Sequence, residues 1–403
     1  MWIFIKPLDV LMFRDSKPFT GGESHRAKSL FPPSPSTFYG AIRAKILSDA
    51  LSRKGLDFKD YYLQNPDLKE IICEIGAPGY KDKDEIKGKI KIKGPFLAKG
   101  DEVYLPVPAD LLEKKDRGVP LSPMRLEELP QGVLTDFDKI GKLLPLRSAE
   151  PGGEAIEPGN RMIKLSSLGN YLLNERKPPL TKADELYDRE LRAGIKLVYE
   201  SRRVETGMLY IAEFIRLKEG VGFVLEVEGA KSLPKEGVLS LGGEGRGATY
   251  TSLDKDPFGS LRDEWLDRLK EKIKCRFKLY LATPAIFRVG EKEKEFGWLP
   301  DFVDSKSLEG EFNGVKFKLI SASVGKAIGM GGWDLAQNRP KPMLRAVPAG
   351  SIYYFELMEG DADKLIETFH LKCVPSQGDE LGLGLTFVGT WEYSKLKEGA
   401  SYV

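Results

Sequence analysis

Two stretches of this chain carry the same order of features, and that repetition constrains the fold more than anything else in the sequence. In the first, Met208–Leu217 and Gly222–Glu228 alternate or run apolar and are joined by Lys218–Val221, which predicts a hairpin. A short Pro-containing linker, a strand at Val238–Leu241, a glycine loop at Gly242–Gly247 and a strand at Ala248–Leu253 follow. The second stretch has strands at Val315–Val324 and Ser351–Met358, separated by a long excursion. A short helix at Asp361–Phe369, a glycine loop at Gly378–Gly384 and a last strand at Leu385–Tyr393 complete it. The order hairpin, connector, glycine loop, strand thus occurs at about residues 208–253 and again at about 315–393. We read it as an internal duplication whose halves have diverged.

Each half then fits a βαββαβ unit. The expected fold class is α+β, with two ferredoxin-like (RRM-like) domains at residues 1–255 and 256–403 and an insertion at about 57–180 in the first. With 403 residues the chain is long enough for two sizeable cores. Asp254–Pro257 is the expected boundary. Met1–Lys6 reads as a buried first strand. Asp57–Asn65 reads as a helix end and connector, Glu70–Ile75 as a strand, and Thr181–Leu191 as a helix capped by Thr181. Leu261–Ile273 has the period of an amphipathic helix. Cys275–Phe287 reads as a strand interrupted by Pro284. In Asp82–Lys93, Ile90 and Ile92 fall on one side of a strand and Lys89, Lys91 and Lys93 on the other. Both a solvated hairpin and a basic finger lying along RNA fit that pattern. Pro106–Gly159 is rich in proline and loop-like.

The stretch Phe13–Leu51 is the richest in chemistry. Phe13–Pro35 carries too much Pro, Gly and Ser for a regular element, yet holds Arg14, Lys17, His25, Arg26 and Lys28. It reads as a basic loop held in a defined path. A helix follows, with Ser36 and Thr37 as N-cap candidates, an apolar face at Phe38, Ile42, Ile46, Leu47, Ala50 and Leu51, and Gly55 as its stop. A helix N-terminus favours a phosphate, and Arg43 and Lys45 add charge further along.

Composition limits how such a chain meets nucleic acid. Lys and Arg number 62 against 60 Asp and Glu, so the net charge is only +2. Binding must rest on basic residues gathered on one face rather than on bulk charge. Charged residues reach 30% while Asn and Gln are scarce, a balance like that of thermophilic proteins. Three distant cysteines, Cys73, Cys275 and Cys373, argue for a reducing compartment, and with two histidines a zinc site is not expected. Met1-Trp2-Ile3-Phe4-Ile5 is too short to span a membrane. The expected location is the cytoplasm, with no membrane partner and no cofactor.

Pro7-Leu8-Asp9-Val10, the run Phe13-Arg14-Asp15-Ser16-Lys17-Pro18-Phe19 and the segment Ser29–Gly40 resemble the CRISPR-associated RAMP subunit that holds the 5′ tag of guide RNA in type III-B (Cmr) effector complexes. The likeness recurs at Leu241–Gly247, at Gly331-Gly332-Trp333-Asp334, and in the central hairpin around Gly194-Ile195, Arg202-Arg203-Val204 and Gly207–Tyr210. Between about Leu56 and Leu180 little matches. The resemblance implies a non-catalytic RNA-binding subunit of an antiviral complex. Its expected partners are guide RNA, a large polymerase-cyclase-type subunit and neighbouring RAMP subunits.

Each candidate site has a plain structural alternative. Gly242, Gly243, Gly245, Arg246 and Gly247 can form an anion nest or simply a turn. The loop lacks the G-K-[S/T] ending of a P-loop, so free-nucleotide binding is the weaker idea. Arg202 and Arg203 can track phosphates or end a solvated strand. Of Phe13, Phe19, Phe31, Phe38 and Tyr39, one or two are expected to stack bases and the rest to be core. His25 can contact phosphate. It can also act as general acid or base in a metal-independent endoribonuclease that processes guide precursors, although no second group completes the pair. His370 reads as structural. Gly325–Arg339 and Pro340-Lys341-Pro342 read as a basic loop in which Lys326, Trp333, Arg339 and Lys341 meet RNA or a partner.

Overall fold

The computed structural model describes residues 1–14, 26–78, 88–114, 124–126, 143–147, 155–156, 159–175, 178–197, 204–288, 296–334, 339–375 and 377–392. The first strand, β1 (Trp2–Pro7), shows how the molecule is layered. Ile3 and Ile5 point into one cluster with Phe38, Ile42 and Ile46, while Trp2 points into the other, stacking on Phe258 at 5.1 Å. Successive strand residues face opposite sides, so an unbroken apolar run belongs in a sheet covered on both faces.

The helical cover is α1 (Pro35–Lys54), α2 (Phe58–Tyr62) and α3 (Lys69–Ile75). The sheet itself is built from β1, β2 (Lys91–Lys99), β3 (Glu102–Pro106), β4 (Arg161–Lys164), β5 (Leu180–Lys182), β8 (Val221–Glu228), β9 (Glu236–Ser240) and β10 (Gly247–Leu253). Its order is β5-β4-β3-β2-β8-β1-β10-β9, antiparallel throughout. Between β4 and β5 lies α4 (Leu165–Leu172). Between β5 and β8, β6 (Tyr187–Leu197) and β7 (Val204–Leu217) form a separate hairpin, joined in parallel by the two-residue strand Arg26–Ala27.

The second sheet holds β11 (Arg276–Leu281), β12 (Glu309–Phe312), β13 (Val315–Ser323), β14 (Ile352–Glu359), β15 (Lys372–Cys373) and β16 (Leu385–Gly389), in the order β12-β13-β14-β11-β16-β15. It carries α5 (Glu264–Lys272) before it and α6 (Ala362–Phe369) between β14 and β16. Four strands of each sheet share one order, but not between the strands that the sequence repeat paired: Val315–Ser323 corresponds to Lys91–Lys99, not to Met208–Leu217. Around β1 they run β2-β8-β1-β10, and around β11 they run β13-β14-β11-β16. Both are second, third, first, fourth in chain sequence. The fold is mixed α and β with mostly antiparallel sheets. Residues 229–246, where the first half would carry its second helix, hold β9 instead. No helix occurs among the described residues between β11 and β13.

Four local expectations are corrected. Glu70–Ile75 is helical, because Ile71, Ile72 and Ile75 share one helical face buried under α1. Thr181–Leu191 is one 3-10 turn, Ala183–Glu185, between two strands. Pairing along β7 and burial of Tyr187 against Phe31, with ring centroids 4.3 Å apart, override its helix propensity. Met208–Leu217 and Gly222–Glu228 do not pair with each other: β7 pairs with β6, while β8 pairs with β1 and β2. The cap of α1 is Ser34, in extended conformation with Pro35 at the first helical position, so Ser36 and Thr37 sit inside the first turn.

Candidate nucleic-acid interface

The described start of the expected basic loop, Phe13–Arg14, and the preceding Met12 meet the glycine loop at one edge. Gly242 has φ +79°, and a Cβ there would come within 2.5 Å of the Met12 carbonyl oxygen. The next residue, Gly243, donates its N–H to that same oxygen at 2.7 Å. Positive φ continues at Glu244 and Gly245, and Leu241 donates to the Arg246 carbonyl at 2.7 Å to close the turn between β9 and β10. The loop is therefore a turn clamped onto the segment that leads into Arg14. On the returning strand, Ser29 Oγ accepts from Phe13 N–H and donates to the Glu213 carbonyl, and Leu30 donates to the Phe13 carbonyl. Arg14 and Lys28 both lie exposed at this edge. Lys17 and His25, and the side chain of Arg26, fall outside the described residues, as do Arg202 and Arg203.

Arg246 is held on three sides. Its guanidinium lies over Phe214 at 4.9 Å, contacts Glu244 at 3.4 Å and approaches Asp9 at 4.0 Å, while its Nε is buried without a hydrogen-bond partner among the described residues. Arg192 also covers Phe214, at 5.1 Å. Glu190 takes Arg192 at 2.7 Å and Arg216 at 2.8 Å, and these two bonds, Arg216 first, hold its carboxyl below the usual range. Asp9, Glu190, Arg192, Phe214 and Arg216 were not expected as site residues. The clue lay in the alternation of β6 and β7, which puts Glu190 and Arg192 on the face that carries Phe214 and Arg216.

Other expected site residues stand elsewhere. Arg43 packs over Tyr39 at 5.6 Å and reaches Tyr61 Oη at 3.5 Å. Lys45 pairs with Asp49 one turn on, at 2.8 Å. Both serve the helix layer. Ser36 shares a hydrogen bond with Ser34 inside the first turn, and Thr37 is half-buried beside it. Phe13, Phe38 and Tyr39 are buried, Phe31 is packed on the core, and Phe19 lies outside the described residues. On the sheet, Ile90 and Ile92 are buried, while Lys93 pairs with Glu226 and Glu228, so β2 is an inner strand of the large sheet rather than a finger.

The Gly325–Arg339 region is more ordered than a loop. Ile328–Met330 pairs with Leu344–Ala346 and Trp333–Asp334 with Arg339–Pro340, forming a hairpin anchored by Met330 and Ala346 on Ile286 and Leu383. Lys326 and Lys341 are exposed along it; the side chains of Trp333 and Arg339 are outside the described residues. The second glycine loop is structural. Gly382 has φ +76° and no room for a Cβ beside the Ile92 carbonyl at 2.8 Å. His370 is buried, with Nε2 at Leu261 O and Nδ1 accepting from Val388 N–H, and burial pulls its pKa down to about 4.

Among the described residues no group of three or more His, Cys, Asp or Glu is placed to hold a metal, and no helix is long and apolar enough to cross a membrane. No curated protein sequence matches the chain. A subunit of "the Type III-B Cmr-beta bound to cognate target RNA and AMPPnP" aligns over 88% of this chain and 86% of its own, with 19% identity and a TM-score of 0.47. A chain of the "Csm3-Csm4 subcomplex in the type III-A CRISPR-Cas interference complex" aligns over 89% and 94%, with 13% identity and a TM-score of 0.37. The model of one protein family, described as CRISPR-associated protein (Cas_Cmr3), matches residues 3–391. A match over that span of a 403-residue chain settles the family: this protein belongs to the CRISPR-associated Cas_Cmr3 family.

Proposed function

We propose that this chain is a non-catalytic RNA-binding subunit of a cytoplasmic type III-B Cmr effector complex, and that it grips the 5′ tag of the guide RNA. In this reading its two halves are ferredoxin-like units, each with one helix missing, that dock onto a large polymerase-cyclase-type subunit and neighbouring RAMP subunits. One observation carries the RNA assignment. Segments more than two hundred residues apart, Met12–Arg14, Lys28–Ser29 and Gly242–Arg246, are hydrogen-bonded or packed into one edge that presents cations beside small residues. Backbone recognition needs that combination, with charge for the phosphate and little side-chain bulk for its approach.

The track we propose runs along β7. Val204, where β7 begins after Arg202-Arg203, is seven residues from Ile211, which pairs with Arg26, or about 23 Å along a strand. A single-stranded RNA several nucleotides long suits that reach. Binding of guide RNA to the purified protein, titrated with salt, tests the reading. Arg14→Ala combined with Lys28→Ala is expected to weaken binding and to flatten the salt slope by about 0.7 for each phosphate no longer neutralised. Wild-type affinity and slope in the double variant would remove this edge from the interface.

A further inference from the structure

We propose that Asp9 is an internal stand-in for an RNA phosphate, occupying a three-arginine site formed by Arg192, Arg216 and Arg246 and leaving it when the guide backbone arrives. The proposal rests on the RNA-binding reading above and assigns a phosphate site beyond the glycine loop.

Three guanidinium groups converge on one carboxylate. Arg216 Nη1 donates to Asp9 Oδ1 at 3.0 Å, whereas Arg192 and Arg246 approach Oδ2 only to 3.8 and 4.0 Å. One arginine is hydrogen-bonded; the other two are held at Coulombic range. The aspartate, fixed at the bend after β1 by a short side chain, does not satisfy all three. An anion that is free to centre itself can. The Nε of Arg246 is buried with no partner among the described residues, a second sign that the group has a hydrogen bond left to give.

The arginines are also preset. Arg192 and Arg246 both lie over the Phe214 ring, which fixes guanidinium faces and leaves N–H edges for an anion. Glu190 anchors Arg192 and Arg216 through short bonds and Glu244 contacts Arg246 at 3.4 Å, so Asp9 differs in kind from both glutamates. Glu190 is the structural counter-ion. Asp9, half exposed and making one hydrogen bond among the described residues, is the displaceable one. Arg246 belongs to the glycine loop, so a phosphate here continues the edge defined by Gly242–Arg246. Without Asp9 the empty site would carry uncompensated positive charge and attract any polyanion. The aspartate thus trades affinity for discrimination.

The experiment uses the full chain with Asp9→Asn, which keeps the side chain's shape and removes its charge. Two probes are read: guide RNA by direct binding across salt concentrations, and inorganic phosphate by thermal shift. We expect Asp9→Asn to bind guide RNA about fivefold more tightly at low salt, the scale of one charge pair at this distance in water. Its salt slope should steepen by about 0.7 for the additional phosphate neutralised. Phosphate should raise the melting temperature of the variant and not of the wild type. Adding Arg216→Ala to Asp9→Asn should abolish both effects. If Asp9→Asn binds RNA as the wild type does, or more weakly, the stand-in role is overturned even where phosphate stabilises the variant. Absence of the phosphate shift overturns the anion site itself. A wild type that fails to bind guide RNA refutes the functional reading, and the phosphate arm then decides the site separately.

Discussion

Gly245 offers the sharpest test of whether the glycine loop serves RNA or only turns the chain. Its φ is +61°, and a Cβ built there meets nothing within 4 Å. Gly245→Ala therefore introduces no clash, only left-handed strain, on the order of 1 kcal/mol. A protein stable by even about 5 kcal/mol stays more than about 99% folded after that loss, so unfolding alone cannot lower its RNA affinity measurably. Gly245→Asn refines the comparison, since Asn tolerates the left-handed region while adding more bulk. Gly243 supplies the internal control. Its φ is not positive, and a Cβ there would face Met12 O at 3.5 Å and Arg14 Cγ at 3.9 Å, ordinary contacts directed into the protein. We expect Gly243→Ala to keep melting temperature and guide-RNA affinity close to wild type. We expect Gly245→Asn to hold its melting temperature and lose about tenfold in affinity, or about 1.4 kcal/mol. Both quantities are measured on all three variants, by thermal unfolding and by RNA titration. If Gly245→Asn binds guide RNA as tightly as wild type, no backbone comes close to this loop, and the interface lies elsewhere on the edge.

Three other outcomes follow from the same structure. His25→Ala should leave assembly of the complex and target cleavage intact; loss of a guide-precursor cutting activity, first shown for the isolated wild type, would promote the endoribonuclease reading. Asp110→Ala should lower stability by about 3–5 kcal/mol in urea unfolding, because it leaves two buried tyrosine hydroxyls and the buried Lys278 uncompensated; a change under about 1 kcal/mol would show that the site relaxes or is wet. The folded pKa of His370 lies near 4, below its unfolded value of 6.5, so its neutral form stabilises the fold fully above 6.5 and that contribution is lost as pH falls towards 4. The loss is about 3 kcal/mol at most, and His370→Gln should remove that part of the acid slope relative to wild type.

The legible and illegible parts of this chain divide on physical grounds. Strands such as β1 and β14 could be read because their short apolar runs, Trp2–Ile5 and Ile352–Phe355, mark burial on both faces. The helix Pro35–Lys54 was readable down to its Gly55 stop, since capping chemistry is local. Apart from the local miss of Ser34 as the cap of α1, what failed depended on partners remote in sequence. Tyr187–Leu197 becomes a strand only because β7 lies beside it and Phe31 covers Tyr187. The site divides the same way. The glycine turn was visible as a motif, but its seat on Met12 was not. Arg43 looked like a phosphate ligand because its neighbours Tyr39 and Tyr61 were unplaced. The three arginines around Asp9 come from β6, β7 and the glycine loop, and no spacing rule brings those together.

Where it is described, the proline-rich segment Pro106–Gly159 is bonded to the second sheet. Asp110 is fully buried, accepts a hydrogen bond from Tyr171 Oη of α4 at 2.7 Å, and accepts another from Tyr354 Oη of β14. Burial raises both phenols well above their ordinary range and pulls Lys278 of β11 down to about 8, with the Asp110 charge opposing that fall. Around this centre the backbone of the insertion is stitched to the second sheet. Ala109 donates to Gly350 O at 2.8 Å, Leu144 donates to Ile320 O at 2.9 Å, and Ser323 Oγ donates to Ala109 O at 2.8 Å. Relative motion of the two sheets would have to break several such bonds together. A hinged pair of domains would have let the glycine-loop edge of the first half and the hairpin of the second adjust independently. A welded pair holds them at one spacing. If both touch one guide, that spacing sets how many nucleotides lie between the two points of attachment.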